Sequence, residues 1–375
     1  MARILDLTGH SAIYGARLLA EAGHDVIRVE PPRGDAIRRL GPFLGEKTDL
    51  EHGAHHQFLN AGKRSFTVDL TSSMGRSLLL NLVGTADALM TNLPLPVDEP
   101  VLKAANPRLV LTAVEDDIPE ELCAYARAGL LAITGHPGKR PALMGGHVVY
   151  AATGLFAGIA TAVALYTQQL TGQGDVVRLS VQEAMESFSE QAMVTYVSEG
   201  KGTERRGFRG AVTAVSGAFP ASDGYWMISV PHTPEGWHKF MDWVQDPVLM
   251  ADESLADEAQ RLLKKDFILD RLGEWSKPFN KVDAVIEAQS RHIPSAPVTT
   301  TQDLAQDVQL IARGFLTEED HPEFGRILSP IGAIATVLGT RPGPAPSLGQ
   351  HNQEILGELG YAEDDYRALV ESGVM

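Results

Sequence analysis

The residues with the most chemical potential in this chain are few and widely spaced. Tyr150 lies in His147-Val-Val-Tyr150-Ala-Ala-Thr-Gly154, just ahead of an apolar stretch. Its phenol has an ordinary pKa near ~10, so at neutral pH it donates a proton and is a poor nucleophile. Carboxylates that stand near it in sequence are Asp175, Glu183 and Glu186. Two short basic clusters, Arg33 to Arg39 and Lys63-Arg64, have the charge to meet the phosphates of a cofactor through paired hydrogen bonds. A third cluster, Arg205-Arg206 with Arg209, reads as a solvated face. His10 and His55-His56 are scattered and read as structural or exposed residues. With no Cys/His ligand spacing and no phosphate-binding glycine loop of the P-loop type, no metal site is expected. The single cysteine, Cys123, reads as a small buried hydrophobe rather than a reactive thiol.

These residues are carried by alternating strands and helices. Arg3 to Thr8 reads as an apolar strand, Ala16 to Ala22 as a helix closed by Gly23, and Asp25 to Glu30 as a second strand stopped by Pro31-Pro32. Ser65 to Leu70, a helix from Ser72 to Gly84, Ala86 to Thr91 and Arg108 to Val114 continue the pattern. Such βαβ spacing predicts a parallel, Rossmann-like sheet over the first 115 residues or so. Gly154 to about Leu170 reads as a long buried helix, and Val176 to Val181 as a strand. The Gly- and Arg-rich segment after Gly200 reads as a linker, and Phe219 to Val230 as a hairpin turning at Ser222-Asp-Gly. The expected division is a large α/β domain over 1–199, a smaller domain over 200–300, and a return to the large domain over 301–375.

The chain has 375 residues, 44% apolar and 21% charged, with a formal net charge of −16. That length allows a large core or two domains. The strong negative charge argues against nucleic acid as a partner, while leaving room for a local basic pocket. The apolar run Ala151 to Tyr166 falls short of a bilayer span. No charged leader precedes an apolar run at Met1-Ala-Arg-Ile-Leu, so neither a signal peptide nor a membrane role is expected. One cysteine in 375 residues fits a reducing cytoplasm.

An ordered set of segments resembles the CaiB/BaiF family, the class III CoA-transferases. Ile4-Leu-Asp-Leu, Gly23-His-Asp-Val-Ile-Arg-Val-Glu-Pro-Pro32 and Gly34-Asp-Ala-Ile-Arg38 are similar to its opening. Leu59-Asn-Ala-Gly-Lys63-Arg-Ser65, Thr91-Asn92, Asn106-Pro-Arg-Leu-Val110, Gly129 to Gly135 and Thr171-Gly-Gln-Gly174 follow in order. Ile293-Pro-Ser-Ala-Pro-Val298 and Ala345-Pro-Ser-Leu-Gly-Gln-His351 complete the set. The resemblance implies a Rossmann-like large domain built from both chain ends, a smaller middle domain, and two subunits interlocked as a dimer. It implies coenzyme A thioesters and small organic acids as substrates, with no covalently held cofactor. Ala12, Arg38, Lys63 and Asn92 would hold coenzyme A, with Arg38 at its phosphates and Lys63 at its adenosine end.

The same resemblance places the family's acyl-carrying Asp at Tyr150. A phenol does not replace a carboxylate that must form a mixed anhydride and then a CoA thioester. Other departures cluster with it. Ile13-Tyr14 stands where the family has Gly-Pro, Leu93-Pro-Leu-Pro96 follows Asn92, and the acid-rich run Glu115 to Glu121 replaces a glycine-rich loop. The His of the family's racemases falls near Ala126, so racemase chemistry is not expected. Three readings stand: a subunit whose nucleophile comes from a homologous Asp-bearing partner; an enzyme of this fold with a different reaction on an acyl-CoA or other acid that uses Tyr150 as a proton donor; and a non-enzymatic binder of CoA or another ligand. The chain pairs with such a partner or with itself as a homodimer.

Overall fold

In the computed structural model, residues 1–115, 120–208, 213–321 and 324–375 are described. The chain divides into two compact units. The first comprises residues 1–130, 144–194 and 307–375, and the second residues 131–143 and 195–306. The expected division placed 131–143 in the large domain and set its boundaries at 199/200 and 300/301.

The first unit is built on a six-stranded sheet. Its strands are β1 (Arg3–Leu7), β2 (Asp25–Glu30), β3 (Arg64–Thr67), β4 (Ala88–Thr91), β5 (Val110–Glu115) and β6 (Val176–Ser180). They run in the order β3-β2-β1-β4-β5-β6, and every pairing is parallel. This is the Rossmann-like α/β architecture expected from the sequence. The strand order reverses between β1 and β4, the place where such folds open a crevice for ligands.

The pleat sorts the residues of each strand onto two faces. Leu5, Leu7, Ile27, Val29, Phe66, Leu89 and Leu111 share one apolar core. Helix α3 (Ser73–Thr85) adds Leu78, Leu79, Leu82 and Val83 to it. Ser72 caps this helix, accepting from the Gly75 amide at 2.9 Å. The C-terminal helices Asn352–Glu358 and Glu363–Glu371 cover the same core with Ile355, Leu356 and Leu369. Both chain ends therefore build this unit.

The alternate positions on β1 and β2 bring Asp6, Arg28 and Glu30, all buried, to the other face. There α1 (Ile13–Glu21) crosses the long helix Val148–Thr171, called αL here for its length. The crossing is at backbone contact: a Cβ on Gly15 would lie 2.3 Å from the Gly154 carbonyl oxygen and 2.9 Å from the Gly158 nitrogen. αL also meets β5, where the Thr112 and Thr161 hydroxyls are 2.7 Å apart.

αL departs from expectation in two ways. It runs for 24 residues, starting at Val148 rather than Gly154, and is long and apolar enough by length and composition to cross a bilayer. Nor is it wholly buried. Leu155, Ile159, Val163, Tyr166 and Leu170 form a stripe along it at three- to four-residue spacing, each 43–69% exposed. Its other side carries Ala157, Gly158, Thr161 and Leu165, which are buried.

The second unit has an antiparallel sheet of Ser216–Ala221, Gly224–Ser229 and Ser295–Pro297. Ser222-Asp223 makes the hairpin turn where the sequence places it. Trp226, Trp237, Phe240, Ile268 and Leu272 are at its core.

Candidate functional site

The site lies at the C-terminal ends of β1 and β4, where the strand order reverses. Asn92 follows β4 and links the two sides of the crevice. Its Oδ1 accepts from the Gly9 amide, and its Nδ2 donates to Ser11 Oγ at 2.6 Å. Ala12 is fully buried at the head of α1. Asn92 thus ties down the loop that leads into Ala12, at the end of the sheet where the strand order reverses.

Beside them is a cavity of about 330 Å³ whose walls include His10, Tyr14, His55, Phe58, His147 and Tyr150. His10 comes from the loop after β1. His55 comes from the helix Ala54–Asn60, which also supplies Phe58. His147 and Tyr150 come from the head of αL. The ring centroids are 5.7 Å apart for His10 and His55, 4.9 Å for His10 and His147, and 5.4 Å for His55 and His147. The Tyr150 ring lies 4.9 Å from His10 and stacks on His147 at 6.3 Å. Tyr14 stacks on Phe58 at 6.3 Å and forms the apolar wall.

Local bonds fix two of the three imidazoles. His55 Nδ1 lies 2.7 Å from the Gly41 carbonyl, so that nitrogen carries the proton and donates it. His147 Nδ1 lies 3.1 Å from Glu121 Oε2 and donates in the same way. The other Glu121 oxygen accepts from the Val149 amide at 2.9 Å, close to the positive end of αL. His147 itself takes a left-handed conformation, φ 52° and ψ 40°, which few non-glycine residues adopt. Burial, then the proximity of His147 and His55, hold the His10 imidazole down from 6.5 to about 4.

His10 and His55, read as scattered residues in the sequence, are thus drawn into one cluster with His147. Their ligand nitrogens all lie within 4.8 Å of one another. Glu121 was passed over too. It closes an acid-rich run that read only as phosphate-repelling, and residues 116–119 of that run lie outside the described residues. The carboxylates weighed as substitutes for the missing Asp have local roles. Glu183 completes the capping box of Ser180, Glu186 accepts from Gln182, and Asp175 accepts from the Val176 amide.

Arg38 and Lys63 are both buried. Arg38 makes a two-pronged pair with Glu30, both contacts 2.8 Å, and also reaches Glu51, the Leu50 and Pro346 carbonyls and His56. Every N–H of its guanidinium has a partner, so a phosphate contact would require it to leave some of them. Lys63 Nζ pairs with Asp6 at 2.8 Å and Asn60 at 3.1 Å. Cys123 corrects another expectation, since it is exposed rather than buried. Arg209, of the third basic cluster, lies outside the described residues.

Acid should loosen this unit. His56, buried against Arg38, is held down from 6.5 to about 3 by desolvation and by the Arg38 charge. Both His10 and His56 therefore accept protons in the unfolded chain at a higher pH than in the folded one. The unfolded chain binds more protons between 6.5 and about 4 for His10, and between 6.5 and about 3 for His56. Stability must fall as pH drops through that window. Urea midpoints measured stepwise from neutral pH to about 4.5 should decline; a flat profile would show that neither imidazole is held neutral.

Residues 2–352 match the family described as CoA-transferase family III. The chain belongs to this family. Succinyl-CoA:mesaconate CoA-transferase of Haloarcula hispanica is 27% identical over 381 residues, spanning 96% of this chain and 95% of that protein. The subunit BbsE of succinyl-CoA:(R)-benzylsuccinate CoA-transferase from Thauera aromatica is 29% identical over 408 residues, spanning 100% and 97%. A crystal structure of a CaiB/BaiF family protein from Brucella suis superposes with a TM-score of 0.83 at 25% identity, covering 96% of this chain and 98% of that one. The resemblance of the sequence places an acyl-carrying carboxylate at position 150, at the head of αL. Here it presents a phenol and an imidazole, and its nearby Glu121 is engaged through both oxygens.

Proposed function

We propose that this chain is the subunit of a hetero-oligomeric CoA-transferase that does not carry the nucleophile, and that a homologous Asp-bearing subunit does. The pair would exchange coenzyme A between an acyl-CoA and a small organic acid. The observation that carries this reading is Tyr150 at the head of αL, walled by histidines where the family's chemistry needs a carboxylate. On this reading the family fold is kept while the reacting carboxylate comes from the partner. Two relatives are themselves named as subunits, BbsE and the alpha subunit of succinyl-CoA–L-malate CoA-transferase from Chloroflexus aurantiacus. The exposed stripe Leu155-Ile159-Val163-Tyr166-Leu170 suits a chain that interlocks with a second subunit, since burying it in a partner removes it from water. Coenzyme A would lie at the crevice of Ala12 and Asn92, with Arg38 and Lys63 shaping its floor.

The test is to purify the chain alone and together with a homologous Asp-bearing chain, and to assay exchange between succinyl-CoA and dicarboxylic acids. Activity is expected only for the pair, and should fall at least about a thousandfold when the partner's Asp becomes Asn. Exchange by this chain alone would overturn the reading.

One observation favours a second reading, an acyl-CoA enzyme in which Tyr150 is a proton donor. The Tyr150 ring packs beside His10 and His147 and lines the cavity, which places a proton-bearing phenol against the space a substrate would fill. Tyr150→Phe removes only the hydroxyl, so unchanged turnover of any substrate found would eliminate this role.

A further inference from the structure

We infer that His10, His55 and His147 form a binding site for one divalent transition metal ion of the zinc type, with its remaining coordination position facing the cavity that Tyr150 lines. The three residues lie far apart in the sequence, on the β1 loop, on the helix Ala54–Asn60 and before αL, yet their ligand nitrogens lie within 4.8 Å of one another. Nitrogens bound at about 2.0–2.1 Å around a tetrahedral ion are about 3.3 Å apart. The cluster therefore needs to tighten by at most about 1.5 Å, which a rotation of His10 and small pivots of His55 and His147 about their Nδ1 bonds supply.

The surroundings match what metal-ligating histidines require. A ligating imidazole offers one nitrogen to the ion and gives the proton on its other nitrogen to a carbonyl or carboxylate, which fixes tautomer and ring orientation. His55 does this through Nδ1 to the Gly41 carbonyl, and His147 through Nδ1 to Glu121. In both, Nε2 is left as the coordinating nitrogen. Glu121 is in turn anchored by the Val149 amide, so the orienting carboxylate is itself held. This arrangement also explains why His147 keeps a left-handed backbone, because that conformation turns the imidazole off the head of αL toward His10 and His55.

Three neutral imidazoles suit zinc, copper, nickel or iron, and leave a net double positive charge on the ion. Three protein ligands with a fourth position open is the pattern of sites that bind an exchangeable ligand. The ligand class that fits here is an anionic oxygen or sulfur donor, such as the carboxylate of a small acid or a thiolate. This inference concerns the chain by itself and stands whether or not a partner subunit supplies a nucleophile.

The experiment uses the full chain, stripped with a chelator and titrated with cobalt(II) and zinc(II), with folding followed by far-ultraviolet circular dichroism, since every tryptophan lies in the second unit. One equivalent of cobalt should bind with the intense visible bands of a four- or five-coordinate ion, and zinc should displace it. Glu121→Gln, which keeps a hydrogen-bond acceptor while losing the charge, should weaken binding about 10- to 100-fold. His147→Ala should weaken it further and abolish the bands; its side chain is half exposed, so the variant is expected to fold. His238→Ala, at an exposed histidine of the second unit, should change nothing. Absence of stoichiometric binding, an octahedral cobalt spectrum, or affinity unchanged in His147→Ala would each overturn the inference.

Discussion

Replacing Lys63 with methionine is expected to destabilise the first unit by about 3–5 kcal/mol. The ammonium is wholly buried and its nearest carboxylate, Asp6, is equally buried, 2.8 Å away. Burial alone would raise the Asp6 carboxyl, but the charges of Lys63 and Arg28 outweigh it and hold that carboxyl at about 2. Burial also lowers Lys63 from 10.5 to about 8, against the pull of Asp6. Methionine would leave Asp6 with Arg28 and Thr8 but without half of its countercharge. The double variant Lys63→Met with Asp6→Asn should recover part of the loss, because Asp6 no longer carries a charge short of its partner while Arg28 keeps Asp35. The measurement is the urea midpoint of both variants. The outcome also bears on coenzyme A. If Lys63 instead serves the adenosine end of CoA, as the resemblance implies, Lys63→Met would weaken CoA binding while leaving the midpoint near wild type.

The resemblance singles out Arg38 and Lys63 for coenzyme A, but the buried ion pairs that hold both residues are not legible in the sequence. Asp6 and Glu30 face them only because the pleat turns alternate residues of β1 and β2 to one side of the sheet. The parallel order of the strands was readable because each has an apolar core face and each crossover has helix length. The antiparallel pair Leu316–His321 and Gly325–Pro330 went unread: Thr317, Glu318 and Asp320 on one strand and Arg326 on the other break any apolar alternation. The histidine cluster was hidden for a different reason. Ligand sets become legible when spacing along a helix or knuckle brings them together, and residues 10, 55 and 147 are brought together only by the fold.

The contact that sets the geometry of the site is the crossing of α1 with αL, and Gly15→Val is the substitution that tests it. Tyr14 precedes Gly15 on α1, and Tyr150 lies one turn before Gly154 on αL, so the crossing fixes the separation of two cavity walls. A Cβ at Gly15 would sit 2.3 Å from the Gly154 carbonyl oxygen, and one at Gly154 would sit 2.9 Å from the Tyr14 Cβ. These neighbours are backbone and first side-chain atoms, which no rotamer change can move. Valine must push the helices apart, which breaks the packing of αL on β5 as well, and a loss of about 3 kcal/mol is expected. Gly84→Ala, in α3 where an added Cβ meets nothing within 4 Å, should instead stabilise by about 0.5–1 kcal/mol. Opposite shifts in the two urea midpoints would tie the penalty to the crossing rather than to loss of a glycine. A wild-type midpoint in Gly15→Val would mean that αL is not seated at backbone contact, and the placement of Tyr150 and His147 beside His10 would fall with it.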